Sequence, residues 1–274
     1  MNRDHMSKEW SRLERKEQKY LEQNRTVNAT AWQEAIEKRV PKKLNETLDA
    51  AFYKAFSLVF EKGTPIIEKT YNREKLKQDY QINAYAADVR KNAKTIRSFG
   101  KKAAGSRCVN LAVSAIEGVG MGVLGMGIPD IPVFISVLLK SIYEIALTYG
   151  FSYDSEEEKL FILKLIEVAL SHEENLTDGN SQIDRFIENG TLVITKEEQL
   201  RRTSDALSKE LLYLKFLQGI PVVGVLGGIS DAYYQKKISA YASLKYQRRF
   251  LQKRSQKCYQ KKTAQSWKRM QEQG

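Results

Sequence analysis

Cysteine and histidine are nearly missing, two of each in 274 residues. Cys108 falls in an apolar stretch and Cys258 in a basic one, so a disulfide framework is excluded and a reducing, intracellular setting is expected. His5 and His172 have no cluster of Cys, His or carboxylate at metal-ligand spacing around them. No metal site, cofactor or histidine-assisted nucleophile is therefore expected, and Glu173 and Glu174 beside His172 read as a solvated helix end. The first 25 residues lack an apolar core of the kind a secretory signal needs, so no cleaved signal is expected, and the Asn-x-Ser/Thr triplets at Asn28, Asn45, Asn175 and Asn189 read as chance. Strand patterning is missing too: Leu192-Val193-Ile194 is the one β-prone run, too short to found a sheet. A lysine-bearing phosphate loop is absent, so any ATPase partnered with this protein is another chain.

Glycine, proline and apolar residues are instead concentrated in two places. Gly118 to Leu139 reads GVGMGVLGMGIPDIPVFISVLL, with Asp130 its one charge, and Phe216 to Ser230 repeats the idiom as FLQGIPVVGVLGGIS before Asp231. Gly120, Gly122 and Gly125 satisfy a dinucleotide-type G-x-G-x-x-G, but that motif works between a strand and a helix, and no strand precedes it. Gly118, Gly122 and Gly125 at steps of four and three suit close helix packing, as small-residue faces do in lipid; a flexible loop between core helices is the equal rival. The first stretch is long enough to cross a bilayer, yet Pro129, Asp130 and Pro132 argue against one continuous span and for a re-entrant hairpin or apolar tip. Asp130 and Asp231 are candidates for a two-carboxylate catalytic site, since burial together would drive their pKa values apart; helix capping is the commoner use of aspartate there.

The order of these motifs resembles the EcsC family. Gly127-Ile128-Pro129-Asp130-Ile131-Pro132, the apolar helix through Tyr149-Gly150-Phe151 and the acidic helix start after it are similar to that family's central signature. Gly219-Ile220-Pro221-Val222-Val223-Gly224 with Asp231 and a basic, Tyr-rich helix is similar to its C-terminal one. The resemblance spans roughly residues 40 to 254. It implies a helical, membrane-associated accessory to an ABC exporter or to membrane protein secretion, and it brings no catalytic residues.

Helical patterning fills the rest. A charged helix from Ser7 to Arg25 carries a thin stripe of Trp10, Leu13, Tyr20 and Leu21 and is expected on the surface; a second carries Trp32, Ala35, Ile36 and Val40. Lys42 to Lys62 is an amphipathic helix stopped by Gly63-Thr64-Pro65, and from Ile66 to Phe99 the expected buried side is Ile82, Tyr85, Ala86, Val89, Ala93 and Ile96. Cys108 to Glu117 reads as a helix. Asp130 is placed to cap Ile131 to Tyr149, with Pro132 in its first turn and Gly150 after its end. Ser155-Glu156-Glu157-Glu158 and Thr195 with Glu198 are capping boxes, and the helix after Ser155 is apolar nearly all round. Glu173 to Ser181 reads as a loop ahead of a short helix. The expected fold is all-α: a multi-helix bundle of packed helical hairpins around the two Gly/Pro-rich segments, with a charged extension over residues 1–40, a main domain over 41–254 and a basic tail over 255–274.

Charge is as unevenly placed as glycine. From Gln235 to the C-terminus twelve Lys and Arg face one acid, Glu272, which accounts for +11 of the net +12. Lys236, Lys237, Lys245, Arg248, Arg249, Lys253 and Arg254 are interleaved with Tyr233, Tyr241, Tyr246 and Phe250. That layout suits an anionic membrane surface, and equally nucleic acid with phosphate contacts and stacking. The Gly-Pro segments tip the expectation toward the membrane, because nucleic-acid binding gives them no role. The expected function is thus a non-enzymatic protein at the cytoplasmic face of a membrane, packing through Gly118, Gly122, Gly125, Gly127, Pro129, Pro132, Gly219, Pro221 and Gly224. A hydrolase or ion-coupled factor using Asp130 and Asp231 is the enzymatic alternative.

Overall fold

A computed structural model describes residues 3–25, 42–90, 99, 130–190, 192–217 and 229–272. Among them there is no strand; they form helices α1 (Arg3–Arg25), α2 (Lys42–Leu58), α3 (Thr64–Glu68), α4 (Arg73–Arg90), α5 (Asp130–Thr148), α6 (Glu156–Leu170), α7 (Glu173–Asn189), α8 (Lys196–Leu217) and α9 (Ile229–Glu272). The fold is the expected all-α bundle. The second expected helix, Cys108 to Glu117, Ala93 and Ile96 lie outside the described residues.

α2 buries Leu48, Ala51, Phe52, Ala55 and Phe56, a stripe at steps of three and four that packs against α8 and α5. The expected stop at Gly63-Thr64-Pro65 does not occur. The helix widens into a π turn over Val59–Gly63, where the Thr64 N–H reaches the Val59 carbonyl, and resumes as α3. Pro65 sits in the first turn of α3, where its missing N–H has no bond to lose.

α4 turns a different face inward from the one expected. Ile82, Tyr85 and Val89 are exposed, while Ala87 is buried and Leu76, Tyr80 and Ala84 pack on the core. Both stripes have helical spacing, so periodicity could not choose between them. Tyr80 chooses: its ring lies edge-on to Phe99 and Phe250 and fills the space a side chain at position 150 would take. A Cβ on Gly150 would stand 2.1 Å from the Tyr80 ring, and the φ of +80° there suits only glycine comfortably.

α5 and α6 are the deepest helices. α6 starts where Ser155 Oγ accepts the Glu158 N–H at 3.2 Å, and it is buried nearly all round. α7 corrects the loop expected over Glu173 to Ser181, which is helix throughout. Here packing overrides propensity. Gly179 lets α7 approach α6 so closely that an added Cβ would come within 2.6 Å of Val168. Asn180 and Asp184 are drawn into bonds across the bundle. α8 opens at Thr195, whose hydroxyl accepts the Glu198 N–H at 3.2 Å, and packs against α2 and α6.

α9 is the axis of the molecule, in contact with α1, α5, α6 and α7. Its 44 residues span about 66 Å at 1.5 Å per residue. It runs in the same direction as α5: Gln235 Nε2 donates to Ser141 Oγ at 3.0 Å, and further along, Phe250 lies 5.9 Å from Tyr149, ring to ring.

Candidate functional site

α9 carries most of the expected anion-binding residues, and their surroundings separate them into two groups. Lys245 is fully buried. Its Nζ lies 2.7 Å from Asp184 of α7 and 3.3 Å from Glu17 of α1. Arg248 grips Glu17 through Nε and a terminal nitrogen, 3.1 and 2.5 Å away, and reaches Asp184 at 3.3 Å. Burial alone would lower the Arg248 pKa, but the hydrogen-bonded Glu17, with Asp184 and Glu14 nearby, holds it above the ordinary value. Tyr241 completes this layer. Its hydroxyl donates to Asn180 at 2.9 Å, its ring lies 5.2 Å from that of Tyr20, and burial pushes its pKa well up.

One turn on, Arg249 binds Glu158 at 2.7 and 2.9 Å, and the Tyr246 hydroxyl donates to the same carboxylate at 2.5 Å. The guanidinium stacks over Phe151 and Phe161, 4.3 and 4.4 Å from their ring centres. Arg254 pairs with Asp88 of α4 at 2.5 Å. These placements engage four of the expected anion-binding residues within the protein. Lys245, Arg248, Arg249 and Arg254 face carboxylates from four other helical elements, because a cation on a core helix must be neutralised to be buried. Lys236 and Lys253 are exposed. Lys237 stands apart: it is buried, no carboxylate among the described residues reaches ion-pair distance, and burial lowers its pKa although Glu210 nearby opposes this.

Sequence reasoning missed the acids Glu17, Asp184 and Glu158. A signal for the first was present. Glu9 and Glu17 fall on the same helical stripe as Met6, Leu13 and Tyr20, and both are buried with Leu13 where α1 docks on α9. It also missed a knot just beyond the C-terminal end of α5. There Tyr153 donates to Glu68 at 2.7 Å, the hydroxyls of Tyr71 and Tyr153 meet at 2.5 Å, and Arg73 binds both Glu68 and Asp154. Tyr143 stacks on Tyr153 at 3.9 Å, and burial pushes its pKa up to about 12. His172 binds Glu210, whose carbonyl accepts from Tyr234. Among the described residues no group of three or more Cys, His, Asp and Glu converges as metal ligands would.

Gly118, Gly122, Gly125, Gly127, Pro129, Gly219, Pro221 and Gly224 lie outside the described residues. Pro132 is buried in the first turn of α5, its carbonyl accepting from Ser136 at 2.8 Å. Asp130 opens α5 and Asp231 lies in the first turn of α9. Because α5 and α9 run in the same direction, the points where both Gly-Pro stretches rejoin the bundle share one end of the molecule. Counted back from the Ser141–Gln235 contact, the two aspartates are offset by about 10 Å along the helix axes. Residues 131–148 of α5 are long and apolar enough to cross a membrane, but most of that length is buried by neighbouring helices.

The architecture of the described residues is that of an all-helical bundle threaded by one long basic helix, α9, which starts at the same end as α5. The EcsC protein family model matches residues 5–251, and the chain belongs to that family. It is similar to Protein EcsC of Bacillus subtilis (strain 168), 27% identical over 204 residues, covering 72% of this chain and 78% of that protein. No solved structure matches.

Proposed function

We propose that this protein is a non-enzymatic, membrane-associated accessory protein of the cytoplasmic face, serving an ABC exporter or membrane protein secretion. The observation that carries the reading is the shared end. The helices that follow the two Gly-Pro apolar stretches, α5 and α9, start at the same end of the bundle, which suits a single membrane-facing pole.

The geometry adds a condition. Lys253 to Arg269 contains no acid, but it follows the apolar pole by about 33 Å along α9. Apolar pole and basic tail touch one membrane together only if α9 lies along the membrane plane. In that pose the pole enters one leaflet, and the exposed Lys253 and Lys257 with the cations beyond them meet anionic headgroups.

Co-sedimentation with liposomes tests this. The full chain is expected to pellet with anionic more than neutral vesicles and to resist a high-salt wash. A chain ending at Gln260 loses Lys261, Lys262, Lys268 and Arg269 but keeps Lys253 and Lys257, and is expected to lose only part of the salt-sensitive binding. Failure to pellet with any lipid overturns the reading. Binding to nucleic acid that falls steeply with salt, without lipid binding, would favour the basic helix as a phosphate-contacting device.

A further inference from the structure

α4 carries two apolar stripes, and the core uses one of them. Leu76, Tyr80, Ala84 and Ala87 pack inward, while Ile82, Tyr85 and Val89, at steps of three and four, stand 65, 72 and 59% exposed. Among the described residues six large hydrophobic side chains are more than half exposed, and three of the six share this one helix face. The outward side of α4 is also nearly free of charge. From Gln78 to Val89 its exposed side chains are this stripe with Gln78, Gln81 and Asp88, and Asp88 is paired with Arg254. Single exposed hydrophobic residues are ordinary; a cluster rimmed by polar side chains marks a contact surface.

The charge beside the stripe indicates what it meets. α4 runs in the same direction as α9: Tyr80 lies edge-on to Phe250, and further along both helices Asp88 meets Arg254. Phe250, Arg254 and Lys257 follow at steps of four and three, so they share the side of α9 that faces α4. Down that side a buried ring gives way to a paired cation and then to an exposed one, and Lys257 emerges beside the end of α4 that carries Val89. In sequence, residues 91–102 after α4 hold Lys91, Lys94, Arg97, Lys101 and Lys102 and no acid. An uncharged apolar stripe with a tyrosine, bordered by cations, is the composition that settles at the headgroup boundary of an anionic bilayer. A second copy of the chain fits less well, since like charges would then face each other.

We propose that the outward face of α4 is a second membrane contact, in which Ile82, Tyr85 and Val89 enter the headgroup boundary of an anionic bilayer while Lys257 meets lipid phosphates. The proposal rests on the membrane reading above and deepens it by naming the side of the bundle that touches lipid. Arg254 stands roughly 35 Å beyond Asp231 along α9 at 1.5 Å per residue. An apolar contact at each end of that span holds α9 along the membrane plane, where one contact alone would let it tilt.

Co-sedimentation of full-chain variants tests it, with vesicles of mixed phosphatidylglycerol and phosphatidylcholine and of phosphatidylcholine alone. Ile82→Gln with Val89→Gln is expected to weaken binding to the mixed vesicles about ten-fold without lowering the melting temperature, because both side chains are exposed. Ile82→Leu with Val89→Leu is expected to bind as wild type does. Lys257→Gln is expected to cost about five-fold on the mixed vesicles and nothing on phosphatidylcholine alone. In Tyr85→Trp, brominated phosphatidylcholine in the mixed vesicles is expected to quench the added indole beyond the quenching seen in wild type. If the double glutamine variant pellets as well as wild type, or Tyr85→Trp gains no quenching, the membrane reading stands and the α4 contact falls. If wild type pellets with neither vesicle, both fall. An unchanged Lys257→Gln overturns the phosphate contact. Self-association of wild type in sedimentation velocity without lipid, lost in the double glutamine variant, would give the face to a second copy and overturn the lipid assignment.

Discussion

At the scale of single residues, the charges on α9 differ more in environment than in kind. Arg249 and Glu158 are both largely buried, share the Tyr246 hydroxyl and are walled by phenylalanine rings. Glu158→Gln keeps the shape but leaves a buried guanidinium without its counter-charge. Loss of one partner from such a pair costs about 3–5 kcal/mol. Arg254 and Asp88 make an equally short contact, but half of Asp88 is in water, so Arg254→Gln is expected to cost under about 1 kcal/mol. Urea unfolding of the two variants checks the contrast; equal losses would mean that Glu158 is not effectively desolvated.

At the scale of elements, α6 and α7 show what local sequence conveys and what it does not. Ser155 and Thr195 were legible as caps because N-capping is a local bond, and both make it. The deep burial of α6 followed from apolar residues on every side. The helix over Glu173 to Ser181 was not legible, since Asp178, Gly179 and Asn180 favour turns, and what forms the helix is contact with α6 and α9 rather than propensity. The same cause hid the inward face of α4 and the acids that neutralise α9: each depends on a partner distant in sequence. The two Gly-Pro stretches were legible in composition, but that α5 and α9 start at one end needed the direction of α5 relative to α9. Gly179→Ala isolates the packing cause. Propensity alone would stabilise α7 by about 1 kcal/mol. The Val168 side chain, 2.6 Å from the new Cβ and fully buried, cannot yield, so a net loss of about 1–3 kcal/mol is expected in thermal or chemical unfolding. A stabilised variant would show that the α6–α7 contact is looser than described.

At the scale of the whole molecule, α9 is both core and arm, and the boundary between them can be located. A chain ending at Arg249 separates the charge-rich tail by composition, yet it removes Phe250 and Leu251, which are buried against Tyr149, Phe99 and the rest of the core. Truncating one large buried aromatic costs about 3–5 kcal/mol, a large part of the stability of an ordinary domain, and here a neighbouring leucine goes with it. Such a chain is expected to be largely unfolded. A chain ending at Gln260 keeps Phe250, Leu251, the Arg254–Asp88 pair and the Trp10–Ser255 contact that seats α1. It is expected to keep the helical circular dichroism and melting temperature of the full chain to within a few degrees. If the chain ending at Gln260 also unfolds, the last turns of α9 are part of the core, and the basic tail cannot be a separate membrane-contacting arm. If it folds, any change in vesicle binding belongs to the tail itself.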